Sequence, residues 1–277
     1  MSSAPDPMAD KIVLVTGATG GIGLETARAL ARMGAQVVIG ARDAARGQAV
    51  VEELAQAGHR AELLRVDLAS LRSVRDAAER FADYHERLDV LVNNAGTVVR
   101  HHRLSPDGHE LTWVTNFLGP FLLTLGLLPS LKSAGRPRIV NVSSVAHTVG
   151  RMHWDDLGLQ RKFRGFAAYA QSKLAQVLFT RELARREPWV AVNAVHPGGI
   201  ATGIWRAAPA PAQWVIRLLL PPPEKGAAPV VRLASAPELD GVTGRYFDRL
   251  REATPAPAAM NAEDAARLWE VAAQAVG

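Results

Sequence analysis

The chain has 277 residues, 48% of them hydrophobic and 21% charged, a balance that suits a buried globular core and excludes a disordered or fibrous chain. It contains no cysteine, which excludes a disulfide framework, a thiolate nucleophile and a cysteine-type zinc site, so redox chemistry would require a bound cofactor. Its 32 basic and 27 acidic residues leave a net charge of +5 spread along the chain, which reads as solvated surface rather than a nucleic-acid footprint.

Residues 1–10, MSSAPDPMAD, show no basic segment followed by an apolar run. A flexible N-terminal tail and a cytoplasmic location are therefore expected. β-rich runs then recur at Lys11–Thr16, Gln36–Gly40, Ala61–Val66, Asp89–Val92, Arg138–Val142, Val190–Val195 and Gly244–Phe247. The segments between them, among them Leu24–Met33, Ala44–Ala57 and Leu71–Arg87, place apolar residues at helical spacing. Such alternation predicts an α/β fold: a single-domain, Rossmann-like, doubly wound sheet of seven parallel strands with helices on both faces. Uninterrupted apolar strands such as IVLV fit a sheet covered on both sides.

From Leu111 to Leu131 the chain carries 21 uncharged residues, close to the roughly 20 that span a bilayer. Thr112, Thr115, Asn116, Gly119, Pro120, Thr124 and Pro129 interrupt that run. A helix buried against the sheet, without stable membrane insertion, is the expected outcome. No linker or repeat divides residues 11–277, so one domain is expected, with the proline-rich stretch within 200–222 forming a loop over the substrate.

The first strand runs into TGATGGIG, with Gly17, Gly21 and Gly23. Glycines there permit a sharp turn, close approach of backbone amides to a pyrophosphate and tight packing of helix on strand. The helix start behind the turn offers free N–H groups to the anion. Thr19, Gly20 and Ile22 complete the expected cradle. Some 20 residues on, where a carboxylate would bond a ribose hydroxyl, stands Arg42, whose paired donors suit a 2′-phosphate. NADP(H) is favoured over NAD(H), although Asp43, the next residue, would place a carboxylate at the ribose if the strand ended one residue later.

TGATGGIG, VDLAS, NNAG, VTNFLGPF, NVSS, YAQSK and HPGGIAT follow one another in that order. The chain thereby resembles the short-chain dehydrogenase/reductase family along nearly its whole length, and is most similar to the branch of retinol dehydrogenases, related carbonyl reductases and the WW-domain oxidoreductases. The resemblance implies that Asp67 and Leu68 meet the adenine. Asn93 to Gly96, with Asn94, Ala95 and Gly96 as contacts, would line the adenosine side, and Pro197, Gly198, Ile200 and Thr202 would hold the nicotinamide. It implies a catalytic set of Asn116, Ser144, Tyr169 and Lys173, the last two also touching the cofactor. It also implies dimers or tetramers formed through the helices at 108–131 and 166–186.

Chemistry agrees with these roles. Tyr169 and Lys173 are four residues apart, hence on one helix face; a neighbouring ammonium is expected to lower the phenol pKa toward a useful range. Ser144 would bond the substrate oxygen as charge develops on it. Pro120 has no N–H for the carbonyl of Asn116, four residues earlier; a kink there is expected to let Asn116 hold a water that links Lys173 to solvent.

Two segments are expected to enclose the substrate: the 25-residue interval from Ser144 to Tyr169 and the loop after Gly198. They contribute His147, Trp154, Trp205 and Trp214 as candidate pocket residues. Their apolar content favours a small hydrophobic carbonyl compound or the matching alcohol. His147 and His153, six residues apart, match no helical metal-ligand spacing, and no metal is expected. Two alternatives stand beside this reading: a catalytically idle nucleotide-binding regulator, and a nucleotide-sugar epimerase-like enzyme. The intact catalytic set speaks against the first, and the glycine spacing and the lack of a large C-terminal extension against the second.

Overall fold

The computed structural model of the chain describes residues 7–199 and 221–277. Alternation of apolar strands and amphipathic helices is realised from the start: β1 (Ile12–Thr16), α1 (Gly21–Arg32), β2 (Gln36–Ala41), α2 (Ala44–Gln56), β3 (Ala61–Arg65), α3 (Leu71–Tyr84) and β4 (Val90–Asn93). A long helix α4 (Leu111–Lys132) follows. Then come β5 (Arg138–Val142), α5 (Gly165–Arg186), β6 (Ala191–His196), α6 (Pro223–Ser235), β7 (Tyr246–Asp248), β8 (Arg251–Ala253) and α7 (Ala262–Val276).

The strands pair in the order β3-β2-β1-β4-β5-β6-β7-β8. One apolar layer, built from α3, α4, α5 and α7, covers one face of the sheet, and a second, from α1, α2 and α6, covers the other. Strand order reverses between β1 and β4, which opens a crevice beyond their carboxyl ends. The glycine-rich turn and the segment Asn94–Gly96 both lie at that crevice.

Two expectations change. The sheet has eight strands, because β7 turns back into an antiparallel β8 through Arg249 and Leu250. Arg249 takes the left-handed conformation (φ 55°) that such a two-residue hairpin needs, and a charged three-residue edge strand leaves no apolar signal. Second, residues 7–10 are not a loose tail: Met8 is buried in the core and its N–H donates to the Met33 carbonyl. The uncharged run forms a buried helix, as expected: it is long and apolar enough to cross a membrane, and its Phe117, Phe121, Leu123, Leu127 and Leu131 are wholly buried against neighbouring helices.

Part of α5, a helix to which the family resemblance assigns subunit contacts, is covered within the chain. Trp269 of α7 meets Phe121 at 5.2 Å and Phe179 at 6.1 Å between ring centroids. Arg186 lies 4.5 Å over the same indole and bonds Glu270 at 2.9 Å. Glu182, almost fully buried, binds both Arg185 and Arg186, and those guanidinium groups hold its carboxyl below the usual range.

Candidate active site

The glycine turn is shaped by contacts that only glycine allows. Gly17 has φ 68°, and a Cβ there would stand 2.9 Å from the Ala95 Cα; a Cβ on Gly23 would stand 2.5 Å from the Gly17 carbonyl oxygen. Gly21, also left-handed at φ 58°, opens α1. The α1 N-terminus has no side-chain cap and no acidic residue in its first turn, so its orphan N–H groups are presented to the crevice. A side chain at Gly20 would find open space apart from the Arg46 guanidinium at 3.8 Å. Asn94 donates to the Thr16 carbonyl at 2.8 Å, while the N–H groups of Asn94 and Ala95 bond the Thr16 hydroxyl. The cradle is thus closed from below, and it fits a pyrophosphate backed by a helix terminus.

At the end of β2, Arg42 is exposed. The competing carboxylate of Asp43 is occupied: it caps α2, accepting the Arg46 N–H at 3.1 Å. Arg46 escaped the sequence reading. Its guanidinium donates to the Thr19 carbonyl at 3.0 Å, so a second cation overhangs the glycine turn. The signal was present in the position itself, one helical turn beyond Arg42. Asp67 turns inward, accepting the Ala69 N–H at 3.1 Å, and Leu68 is a core residue whose carbonyl packs on Gly119.

The catalytic candidates converge where β4, β5 and α5 meet. The Ser144 hydroxyl neighbours the Tyr169 phenol and favours its ionised form. Ser143 is ruled out for that task because its hydroxyl is buried and donates to the Lys173 carbonyl at 2.9 Å, tying β5 to α5. The Lys173 Nζ lies 5.5 Å from the centre of the Tyr169 ring, and a Cβ on Gly96 would stand 3.7 Å from that nitrogen. Burial alone pushes the Lys173 ammonium down to about 7. Tyr169 is not lowered as expected: burial raises its phenol, with the Ser144 hydroxyl opposing the rise.

Asn116 is wholly buried, and the helix adopts a π-helical turn at Val114–Leu118 around it, a local widening frequent at functional sites. Its amide donates to the Thr97 carbonyl and to the Ser172 hydroxyl, each at 3.0 Å, and its Oδ1 accepts the Thr97 N–H at 2.7 Å. The Asn116 carbonyl, expected to hold a water that links Lys173 to solvent, is joined to Lys173 by a side chain. Gln176 donates from Nε2 to the Asn116 carbonyl at 2.9 Å and accepts from Lys173 Nζ at 3.0 Å.

The predicted substrate pocket is only partly as expected. His147 is buried beneath Ser144: its ring bonds the Ser144 carbonyl through Nδ1 at 2.8 Å and accepts the Ala256 N–H at Nε2 at 3.1 Å. That pattern fixes the neutral Nδ1–H form and removes the ring from any pocket. Trp154 packs on the helical core with Arg267 of α7 at 4.5 Å over its ring; it docks the insertion instead of facing a ligand. Aromatic content alone does not reveal which way a ring turns. Pro197 and Gly198 follow β6, with Gly198 at φ 99°, while Ile200, Thr202, Trp205 and Trp214 lie outside the described residues. Beside Ser144 the exposed apolar side chains are Val145 and Val149.

A sequence profile described as short chain dehydrogenase matches residues 11–212. The chain is 42% identical to retinol dehydrogenase 13 of Homo sapiens, over 96% of its own length and 85% of that protein's. It is 43% identical to polyprenol dehydrogenase of Mus musculus, over 95% and 83%. Among solved structures it is similar to an uncharacterised protein from Mycobacterium paratuberculosis, with TM-score 0.79, 34% identity and coverage of 97% and 94% of the two chains. It is likewise similar to a short chain dehydrogenase from Escherichia coli CFT073 complexed with NADPH, with TM-score 0.73, 27% identity and coverage of 90% and 100%.

Proposed function

This chain belongs to the short chain dehydrogenase family, oxidoreductases of alcohol and carbonyl groups, and on that premise we propose an NADP(H)-dependent enzyme for apolar aldehydes, ketones or the matching alcohols. The observation that carries the proposal is the placement of the buried Lys173 ammonium 5.5 Å from the centre of the Tyr169 ring, with Ser144 beside the phenol. A nicotinamide bound in the crevice supplies the hydride. The chain supplies the proton and its placement. Tyr169, held neutral by burial, carries a proton to give to the substrate oxygen; Ser144 aligns that oxygen and stabilises its developing charge. Lys173 stands behind Tyr169, where it can hold the nicotinamide ribose.

Preference for the phosphorylated cofactor rests on Arg42 and Arg46 beside the turn, and on the withdrawal of the Asp43 carboxylate into the α2 cap. Two relatives are named for retinol and for polyprenol, both long isoprenoid alcohols. Together with the exposed Val145 and Val149 next to Ser144, those names favour isoprenoid substrates. The test is NADPH consumption with a panel of aliphatic, aromatic and isoprenoid aldehydes and ketones. Turnover of an apolar member supports the proposal, and turnover of none of them refutes it.

A further inference from the structure

Among the described residues the buried Lys173 ammonium has no counter-ion, and its two acceptors are the Val142 carbonyl at 2.8 Å and Gln176 Oε1 at 3.0 Å. Val142 O is a backbone atom of β5, fixed by the sheet. Gln176 is therefore the side chain on which the lysine depends. It sits one helical turn beyond Lys173, almost wholly buried, and its orientation is set from the other end by the bond to Asn116 O. That carbonyl has no N–H from Pro120 to accept. The helical defect around Asn116, the Gln176 carboxamide and the Lys173 ammonium form one chain of hydrogen bonds.

We propose, resting on the reading of the site as a reductase, that Gln176 is a positioning residue for the reaction: its carboxamide clamps Lys173 behind Tyr169 and keeps it charged. A carboxamide accepts at one end and donates at the other, so it orders Lys173 and Asn116 without itself taking up or releasing a proton at neutral pH. Replenishment of the Tyr169 proton then occurs from the crevice side of Lys173.

The charged surroundings make Gln176 decisive. Tyr169 precedes Lys173 on α5, His147 follows Ser144, and His196 ends β6; none is a carboxylate. Glu110, at the start of α4, spends both oxygens on the Thr112 and Trp113 N–H groups. Glu182, further along α5, is bound by two arginines, and Glu270 of α7 by Arg186. Asp67, after β3, accepts the Ala69 N–H. Burial disfavours the charge on the lysine, and the oxygens within hydrogen-bond distance, Val142 O and Gln176 Oε1, are the groups placed to favour it.

The test compares wild type, Gln176→Met and Gln176→Glu in the full chain. Methionine keeps the volume and removes both bonds; glutamate keeps an oxygen toward Lys173 and adds charge. With five lysines in the chain, the Lys173 ε-carbon resonance is assigned by its loss in Lys173→Met, and its titration is followed by NMR. The midpoint is expected to fall by about one pH unit in Gln176→Met and to rise by about one unit in Gln176→Glu. The alkaline limb of kcat/KM for NADPH-dependent reduction is expected to move with it, and the Gln176→Met rate at pH 8 to drop about tenfold, with recovery at lower pH. Unmoved titration, shifts of the same sign, or titration shifts that kcat/KM ignores would each overturn the proposal. If Gln176→Met does not fold, the direction of the Gln176→Glu shift decides alone. A wild type that reduces no carbonyl compound refutes the reductase reading separately, and the NMR arm then still decides whether the clamp exists.

Discussion

The Asp43 carboxylate accepts the Arg46 main-chain N–H at 3.1 Å, and this single bond separates the two bases of cofactor choice. It turns the carboxylate into α2, while the Arg46 guanidinium bonds the Thr19 carbonyl in the glycine turn and Arg42 stands exposed at the end of β2. Charge-assisted hydrogen bonds contribute about 1.5–3 kcal/mol each, so Arg42→Ala and Arg46→Ala should each raise the KM for NADPH on the order of tenfold or more while leaving that for NADH within about twofold. Asp43→Ala should lower stability by about 1 kcal/mol through loss of the cap and leave the NADPH/NADH ratio unchanged. Steady-state kinetics with both cofactors, paired with urea melts, separate these outcomes. A swing toward NADPH in Asp43→Ala would mean that the carboxylate had been facing the ribose.

Lys173 makes the protein's stability depend on pH. Its folded pKa is lowered to about 7, against about 10.4 for an unperturbed lysine. Between those values the unfolded chain binds the extra proton, so stability should rise as pH increases through that window, by up to about 1.4 kcal/mol per unit. Below pH 7 both states carry the charge and the cost of the buried ammonium is paid in full. Lys173→Met should abolish turnover and flatten this slope. Urea unfolding from pH 6.5 to 10 checks it; an identical slope in the two proteins would show that Lys173 is not buried as a charge.

His147 works in the opposite pH range. Burial lowers its pKa below the usual 6.5, so as pH falls through 6.5 the unfolded chain gains a proton first and stability declines. Protonation also destroys the acceptor for the Ala256 N–H. Replacement by Gln should weaken this acid sensitivity, and replacement by Ala should reduce kcat as well, since the His147 ring holds the Ser144 carbonyl. Thermal melts between pH 5 and 7.5 report the first effect and initial rates the second.

Trp269 tests the covering of α5. Its truncation to Ala removes packing against Phe121 and Phe179 and leaves the Arg186 guanidinium uncovered. A loss of about 2–4 kcal/mol is expected, near the range for large-to-small core substitutions. With α7 in place over that face, the wild type should sediment as a monomer. A dimer that persists with Trp269 intact would show that subunits meet elsewhere.

The strands and the cradle were legible in sequence because their signals are local: apolar runs bounded by glycine, and glycines needed within eight residues of one another. β8 was not, since two of its three residues carry charge and the strand pairs only at the sheet edge. Ser144 was assigned through the family resemblance, and geometry supplies the reason that the adjacent Ser143 does not serve, because its hydroxyl bonds the α5 backbone. Gln176 stayed hidden for a different cause. Its partners lie 60 residues back and three residues back in the chain, and only the tertiary fold brings both to one carboxamide. His147 and Trp154 were misjudged because the direction of a ring depends on the element that packs against it.

The central claim is that Tyr169 gives the proton in an NADPH-dependent carbonyl reduction, and Tyr169→Phe tests it most directly. With an isoprenoid aldehyde such as citral or retinal, the loss of absorbance at 340 nm should proceed in the wild type. It should fall by about 10²–10⁴-fold in the variant, the contribution of one positioned proton donor, while NADPH still binds by fluorescence titration. An undiminished rate in Tyr169→Phe would contradict the account.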